Sequence, residues 1–192
     1  MNKSRCDWCG DDPLYVSYHD HEWEVPLFED KLLFEFLILE TFQAGLSWIT
    51  ILRKRENFRL AFDDFDYEKI AQYDAMKYEE LLVNPGIIRN KLKIKSAISN
   101  AKLYMEIQKE HGSFSSYFWG FTKNKTIENN WEQMNQVPAT TTLSDSISKA
   151  LKKRGFKFVG STVIYAYMQA VGMVNDHVSS CFRYQEIQSL KQ

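Results

Sequence analysis

His177-x3-Cys181 sets an imidazole and a thiol one helical turn apart near one end of the chain, while Cys6, Cys9, His19 and His21 lie near the other. Zinc takes four nitrogen and sulfur ligands in a tetrahedron, and a Cys2His2 set is closed and structural. Two ligands from each end would close almost the whole chain into one loop, and such a clip contributes on the order of 10 kcal/mol to the folded state. The chain has 3 cysteines, an odd number, and Cys6 and Cys9 are too close together to staple much. In a reducing compartment a metal is favoured over disulfides. Spacing alone does not choose between Cys6 and Cys9 or between His19 and His21. It also leaves open a metal-free arrangement of surface histidines and buried free thiols.

A second constellation is basic. The stretch from Lys149 to Thr162 contains Lys149, Lys152, Lys153, Arg154 and Lys157 and no acid. It reads helix, glycine-rich turn, helix, and Gly155-x3-Val159-Gly160-x-Thr162 resembles the hairpin of helix-hairpin-helix DNA-binding modules. Glycines let the backbone approach a phosphate, and the amides of Ser161 and Thr162, at the start of the following helix, point towards it. Lys152, Lys153 and Arg154 add attraction that is independent of base sequence. A solvated helix end would also be rich in Lys and Arg, so the two spaced glycines carry more of the reading than the charge run does.

The third is a carboxylate. Glu40 ends the apolar run Phe36-Leu37-Ile38-Leu39, where an acid must find partners or accept a raised pKa. The chain continues through Gly45 and Leu46 to Trp48. A buried acid beside aromatic faces suits a flat, cationic ligand, which the rings would stack on and attract through their π faces. Read alone, Glu40 fits an exposed helix end equally well, with Trp48 as ordinary core.

The elements that must position these groups are helical. Lys31–Thr41 is apolar on nearly every side, which predicts a buried helix. Ser47 can cap a helix running to about Phe62. Short helices follow near Tyr67–Tyr73 and Lys77–Val83, and Asn84-Pro85-Gly86 is a strong break. A longer helix runs from about Arg89 to Glu110, then a short aromatic one over Phe114–Phe121. Residues 122–141 read as a loop. Thr142-Leu143-Ser144-Asp145 fits a capping box opening a helix to Arg154, Gly155 stops it, and Ser161–Val171 is the last long helix. No long strand alternation, repeat or low-complexity linker appears.

The net charge of the 192 residues is −1, which argues against a strongly basic surface. It is unevenly spread: residues 1–40 carry 3 bases against 10 acids, and residues 41–192 carry 21 bases against 15 acids. A chain near neutrality can still bind a polyanion through one local patch. The N-terminus lacks a signal-like apolar stretch. The run Leu32–Leu39 contains Glu35 and is too short to span a bilayer. The chain is therefore expected to be cytoplasmic and monomeric, and not to associate with a membrane.

These pieces coincide in one family. From about Arg5 to Cys181 the chain resembles the DNA-3-methyladenine glycosylase I family, a branch of the helix-hairpin-helix glycosylases. The matching stretches are Asp12-Pro-Leu-Tyr-Val-Ser-Tyr-His-Asp20 with Glu22-Trp23, and Gln43-Ala-Gly-Leu-Ser-Trp-Ile-Thr50 with Arg55-Glu56-Asn57. Gly86-Ile-Ile-Arg89, Lys149–Gly160, and Val174-Asn-Asp-His177 with Cys181 complete them. The resemblance implies an all-α, helix-hairpin-helix glycosylase-like fold over residues 1–192, with the hairpin element at about 144–172.

The same resemblance implies one structural zinc per chain on Cys6, His19, His177 and Cys181, leaving Cys9 and His21 as bystanders. It implies a damaged-base pocket formed by Glu40, Tyr15, Tyr18 and Trp48, with Trp8 and Trp23 nearby. The implied activity is hydrolysis of the N-glycosidic bond of 3-methyladenine in double-stranded alkylated DNA, leaving an abasic site. Gly45 and Leu46 are expected to enter the gap left by the extruded base. No lysine stands out as a Schiff-base nucleophile, so no strand cleavage is expected. Asp176 lies downstream of the hairpin, closer to it than the acid of many such glycosylases, and Glu40 ranks above it. Glu24 departs from the family, which often has Gly after this Trp. Two other readings remain: a zinc-stabilised module that binds damaged DNA without chemistry, and a zinc hydrolase with Glu40 as base, which needs an open coordination position that four Cys/His ligands do not leave.

Overall fold

The run predicted to be buried on all sides forms the central helix of the molecule. In the computed structural model, which describes residues 3–190, helix α2 spans Asp30–Gln43 and every residue from Leu33 to Phe42 is buried, Glu35, Glu40 and Thr41 included. The other helices wrap around it. They are α1 (Pro13–His21), α3 (Trp48–Leu52), α4 (Arg55–Ala61), α5 (Tyr67–Ile70), α6 (Ala75–Val83), α7 (Lys91–His111), α8 (Phe114–Gly120), α9 (Thr142–Arg154), α10 (Ser161–Ala170) and α11 (Phe182–Ser189). One hydrophobic core runs from Cys6 to Cys181.

The partners of α2 are tied to it by hydroxyls as well as by packing. Tyr167 of α10 donates to the Leu33 carbonyl at 3.0 Å, and Tyr104 of α7 donates to the Asp30 carbonyl at 2.7 Å. The Asp30 carboxylate accepts from the amides of Phe114 and Ser115 at 2.9 and 2.8 Å. It thereby satisfies the first turn of α8, whose amides have no partner within the helix.

The mostly helical expectation holds, with differences at particular places. The helix expected over Ser47–Phe62 is two, α3 and α4, joined by a turn at Arg53-Lys54. Ser47 occupies the N-cap position, but its hydroxyl is shared with Thr50 Oγ1 at 2.7 Å and caps no amide. The capping box of α9 starts one residue earlier than expected, at Thr141, whose hydroxyl accepts from the Ser144 amide while Ser144 accepts from the Thr141 amide. Helix α1 was not anticipated, although Asp12 caps it and Pro13 opens it. Only Tyr18 and His19 are buried in it, so it has no apolar stripe to read. The segment expected to be a loop, 122–141, contains strand β1 (Ile127–Glu128). It pairs in parallel with β2 (Val174–Asn175), Ile127 opposite Val174 and Glu128 opposite Asn175.

Among the described residues no helix is long and apolar enough to cross a membrane.

Two backbone positions lock the segment after Trp23 against the end of α10. Gly172 has φ +73°, and a Cβ there would lie 2.5 Å from the Val25 carbonyl carbon and 2.7 Å from the Glu24 oxygen. Gly172→Ala therefore combines a left-handed penalty with a backbone clash. It is expected to destabilise the fold by about 2–5 kcal/mol, read as a lowered midpoint in denaturant unfolding. Opposite it, Glu24 also has positive φ, at +65°.

Candidate functional site

The chain ends meet at a four-donor cluster. Cys6 precedes a 3-10 turn at Asp7–Cys9, His19 is in α1, His177 follows β2, and Cys181 is the N-cap of α11. All four are buried, and their ligand atoms lie within 4.8 Å of one another. The His177 Nδ1 is 3.6 Å from Cys6 Sγ and 3.4 Å from Cys181 Sγ. The His19 Nε2 is 3.5 Å from Cys181 Sγ. These separations suit the edges of a tetrahedron with metal bonds of about 2.0–2.3 Å. The donor chemistry also calls for a cation. Contact with the Cys181 sulfur, then burial, pushes the Cys6 thiol up, while the same contact draws Cys181 down. The pair thus shares one proton, and a cation bound between the sulfurs could take that proton's place. Cys9 and His21 lie outside this cluster: Cys9 turns its thiol to the Cys6 carbonyl at 3.2 Å, and His21 turns to the Ser17 carbonyl.

Each ring of the cluster has a carboxylate behind it. Asp20 Oδ1 lies 2.8 Å from His19 Nδ1, and Asp20 is itself held in a two-pronged pair by Arg5 at 2.8 and 2.7 Å. Arg5, with help from His19, keeps the Asp20 carboxyl at about 2. Behind His177 stands Glu24, whose Oε2 accepts from the amides of Asp176 and His177 at 2.7 and 2.9 Å. Such partners fix the tautomer and orientation of metal-binding imidazoles.

Aromatic rings join this cluster to a pocket. Trp23 packs edge-on against His177 with centroids 4.6 Å apart, and Trp8 packs against Trp23 at 4.8 Å. Trp8 in turn meets Tyr15 at 4.8 Å, and Tyr18 meets Trp48 at 5.4 Å. Together with Glu40 these rings line a cavity of about 240 Å³, along with Gln43, Met134, Ala166 and Gln169. All six pocket residues expected from the sequence are brought together there. Three polar atoms of its lining are buried without a partner: Glu40 Oε2, Trp8 Nε1 and Trp48 Nε1. A buried polar group without a partner costs about 1–3 kcal/mol, so a ligand that reached these atoms could offset that cost. Burial alone raises the Glu40 carboxyl to about 8.

The residues expected to meet DNA lie in two places, the turn after α2 and the turn between α9 and α10. Gly45 has φ +83°, and Leu46 is 41 % exposed. This turn is clamped by the buried Lys93 ammonium, which donates to the Phe42 and Ala44 carbonyls at 2.8 and 2.6 Å. In the hairpin, Gly155 is the left-handed cap of α9 and Gly160 precedes α10, whose first turn has no side-chain cap. A Cβ on Gly160 would meet nothing within 4 Å, so that backbone faces open space. Lys152, Lys153 and Ser161 line one groove with Lys149. Thr162 is exposed beside them. Arg154, expected to join them, is paired with Glu110 at 2.6 Å and lies over the Tyr117 ring.

Asp176 is a tie rather than a pocket acid. Its oxygens accept from Asn129, Trp131, Tyr165 and Gln169 at 2.6–2.8 Å. It thereby joins the 129–131 segment to α10. Sequence reasoning missed Gln169 and Met134, because single polar or flexible residues within apolar helices and loops carry no pattern. Asp20, next to a candidate ligand, could have been found from the carboxylate–histidine pairing that metal sites use.

The methyladenine glycosylase family model matches residues 8–184. The chain is 47 % identical over 180 residues to the DNA-3-methyladenine glycosylase 1 of Escherichia coli (strain K12), covering 94 % of this chain and 96 % of that protein. A crystal structure of a 3-methyladenine DNA glycosylase I superposes with a TM-score of 0.91 at 47 % identity, covering 93 % of this chain and 98 % of the other. A single-residue variant of a 3-methyladenine DNA glycosylase I, solved in complex with 3-methyladenine, superposes with a TM-score of 0.90 at 35 % identity, covering 95 % and 97 %.

Proposed function

The chain belongs to the methyladenine glycosylase family, and from that premise we propose how its own residues remove 3-methyladenine from DNA in base-excision repair. The observation that carries the reading is the aromatic cavity with three unpartnered polar atoms, one of them on a carboxyl raised to about 8. N3-methylation makes the adenine cationic. The cation packs against the Tyr18 and Trp48 rings, which meet each other at an angle, with Tyr15, Trp8 and Trp23 completing the walls. Its positive charge favours ionisation of Glu40, whose proton passes to solvent, and the resulting carboxylate accepts hydrogen bonds from the base edge.

The rest of the chemistry needs little acid catalysis. The bond from base nitrogen to sugar carbon breaks, and its electron pair neutralises the positive base. The sugar is left as an oxocarbenium-like centre, stabilised by nearby negative charge including the DNA phosphates. Water adds to it and loses a proton to solvent. The departing base is neutral, so Glu40 no longer faces a cation and takes a proton back, which weakens its hold on the product.

Duplex alkylated DNA is held through phosphates at the hairpin, by Lys152 and Lys153 and by the backbone at Gly155, Gly160, Ser161 and Thr162, with Arg154 adding longer-range charge. The extruded base is replaced in the stack by the Gly45-Leu46 turn. Cys6, His19, His177 and Cys181 would hold one zinc, which when bound supplies structural closure of the chain ends and no reaction step. The helix-hairpin-helix glycosylase-like unit is a single catalytic unit over 1–192, although residues 1, 2, 191 and 192 lie outside the described residues. We read it as a monomeric cytoplasmic enzyme without lyase activity.

The test is incubation of the zinc-loaded chain with methylated duplex DNA. Free 3-methyladenine and intact strands bearing alkali-labile sites are expected. Nicking without added base would overturn the hydrolase assignment. Binding without base release would favour a module that recognises damage and does no chemistry.

A further inference from the structure

Glu24 occupies a position that its backbone does not favour. Its φ is +65°, a left-handed conformation that suits glycine. Its side chain is nevertheless fully buried. It reaches the turn that carries His177 and takes up two main-chain amides, those of Asp176 and His177. What remains is a pair of unpartnered buried atoms, Glu24 Oε1 and His177 Nε2. The Glu24 Oε2 lies 3.8 Å from that ring nitrogen, just beyond hydrogen-bond range. The opposite ring nitrogen, Nδ1, is the one that faces both sulfurs.

From this juxtaposition we propose that Glu24 is a positioning residue of the metal centre: it is the outer carboxylate of His177, as Asp20 is of His19. An imidazole that binds a metal through Nδ1 carries its proton on Nε2, and that proton needs an acceptor. Among the described residues Glu24 is the carboxylate beside it. The amide bonds to Oε2 hold the carboxylate in place, so the ring is oriented from both its main chain and its outer nitrogen. The effect is slower loss of zinc, achieved with a residue the local backbone disfavours.

The proposal rests on the zinc reading, so the test begins with the metal content of the purified parent. Zinc transfer to a chromophoric chelator is then compared for the parent, Glu24→Gln and Glu24→Gly. Gln keeps an oxygen for the two amides but lacks the carboxylate, and Gly relaxes the backbone. Both variants are expected to bind zinc about 10–100-fold more weakly. In 15N-labelled protein, the protected Nε2–H signal of His177 is expected in the parent and lost or shifted in Glu24→Gln. A parent without zinc would overturn this proposal together with the zinc reading. A zinc-loaded parent with both variants matching its affinity within twofold, and an unchanged His177 ring signal, would overturn this proposal alone. A role confined to the backbone predicts that Gly holds zinc as well as the parent or better.

Discussion

Replacing Glu40 with Gln is expected to lower release of 3-methyladenine from methylated DNA by about 10²–10³-fold, the scale of losing one preorganised charge-stabilising group, while the chain stays folded. Gln fits the same space and can still accept a hydrogen bond, but it cannot meet a cation with a negative charge. The pH dependence separates this account from loss of shape. In the free pocket Glu40 carries its proton up to about 8, so capture of the cationic base must displace that proton. Parent kcat/KM on methylated DNA should fall about tenfold per pH unit below 8, and the Gln variant should lack this limb. A variant that keeps the limb would place the titration elsewhere.

The same carboxyl makes a claim about stability. Its folded-state value, about 8, lies above the ordinary value of 4.5. Between those values the native chain holds one more proton than the unfolded chain, so stability falls as pH rises through that window. Removing the ionisable group should therefore stabilise the protein by a few kcal/mol at pH 9 and change it much less at pH 4. Denaturant unfolding at the two pH values checks this. A gain in stability alongside the loss of activity is the trade that the proposed role of Glu40 predicts.

The second large effect concerns the proposed zinc site at Cys6, His19, His177 and Cys181. Cys181→Ser should cost at least 5 kcal/mol, because it removes a ligand from a site that closes almost the entire chain and leaves a buried thiolate and two imidazoles uncompensated. For a domain of this size that corresponds to a Tm lower by roughly 10–20 °C. A strong chelator should produce the same shift in the parent, and zinc should reverse it. Cys9→Ser provides the control: its thiol is also buried but faces the Cys6 carbonyl, so Tm and metal content should barely change. Equal losses from the two serine variants would mean that packing, and not metal, holds the chain ends.

How much of this was legible depended on how strongly each element is marked in sequence. Helix α2 is apolar on every face, and no other fold accommodates such a segment easily, so its burial was plain. The acid at its end was not, because Glu40 reads equally as an exposed terminus until the surrounding motifs are weighed together. Helix α1 stayed hidden because it buries so little of itself, and the β1–β2 pair because two residues cannot display an alternation. The capping box was misplaced by one position because Thr141 and Thr142 are both able to cap and local chemistry does not separate them. Cys6 and Cys9 are both buried thiols, and only the path of the chain decides which one faces His177. Arg154 belongs to a basic run in sequence, but its length carries the charge across to Glu110, a contact no local pattern announces.

The meeting of the chain ends has a consequence for biosynthesis. Trp8, Tyr15, Tyr18 and Trp23 leave the ribosome early, yet they lean on a centre completed only when His177 and Cys181 appear. At roughly 5–20 residues per second, the pocket stays incomplete for about ten seconds or more after its first wall has emerged. A ribosome that stalls before residue 177 therefore yields a chain with nearly every wall residue and no working pocket, so a prematurely ended product cannot attack bases in DNA.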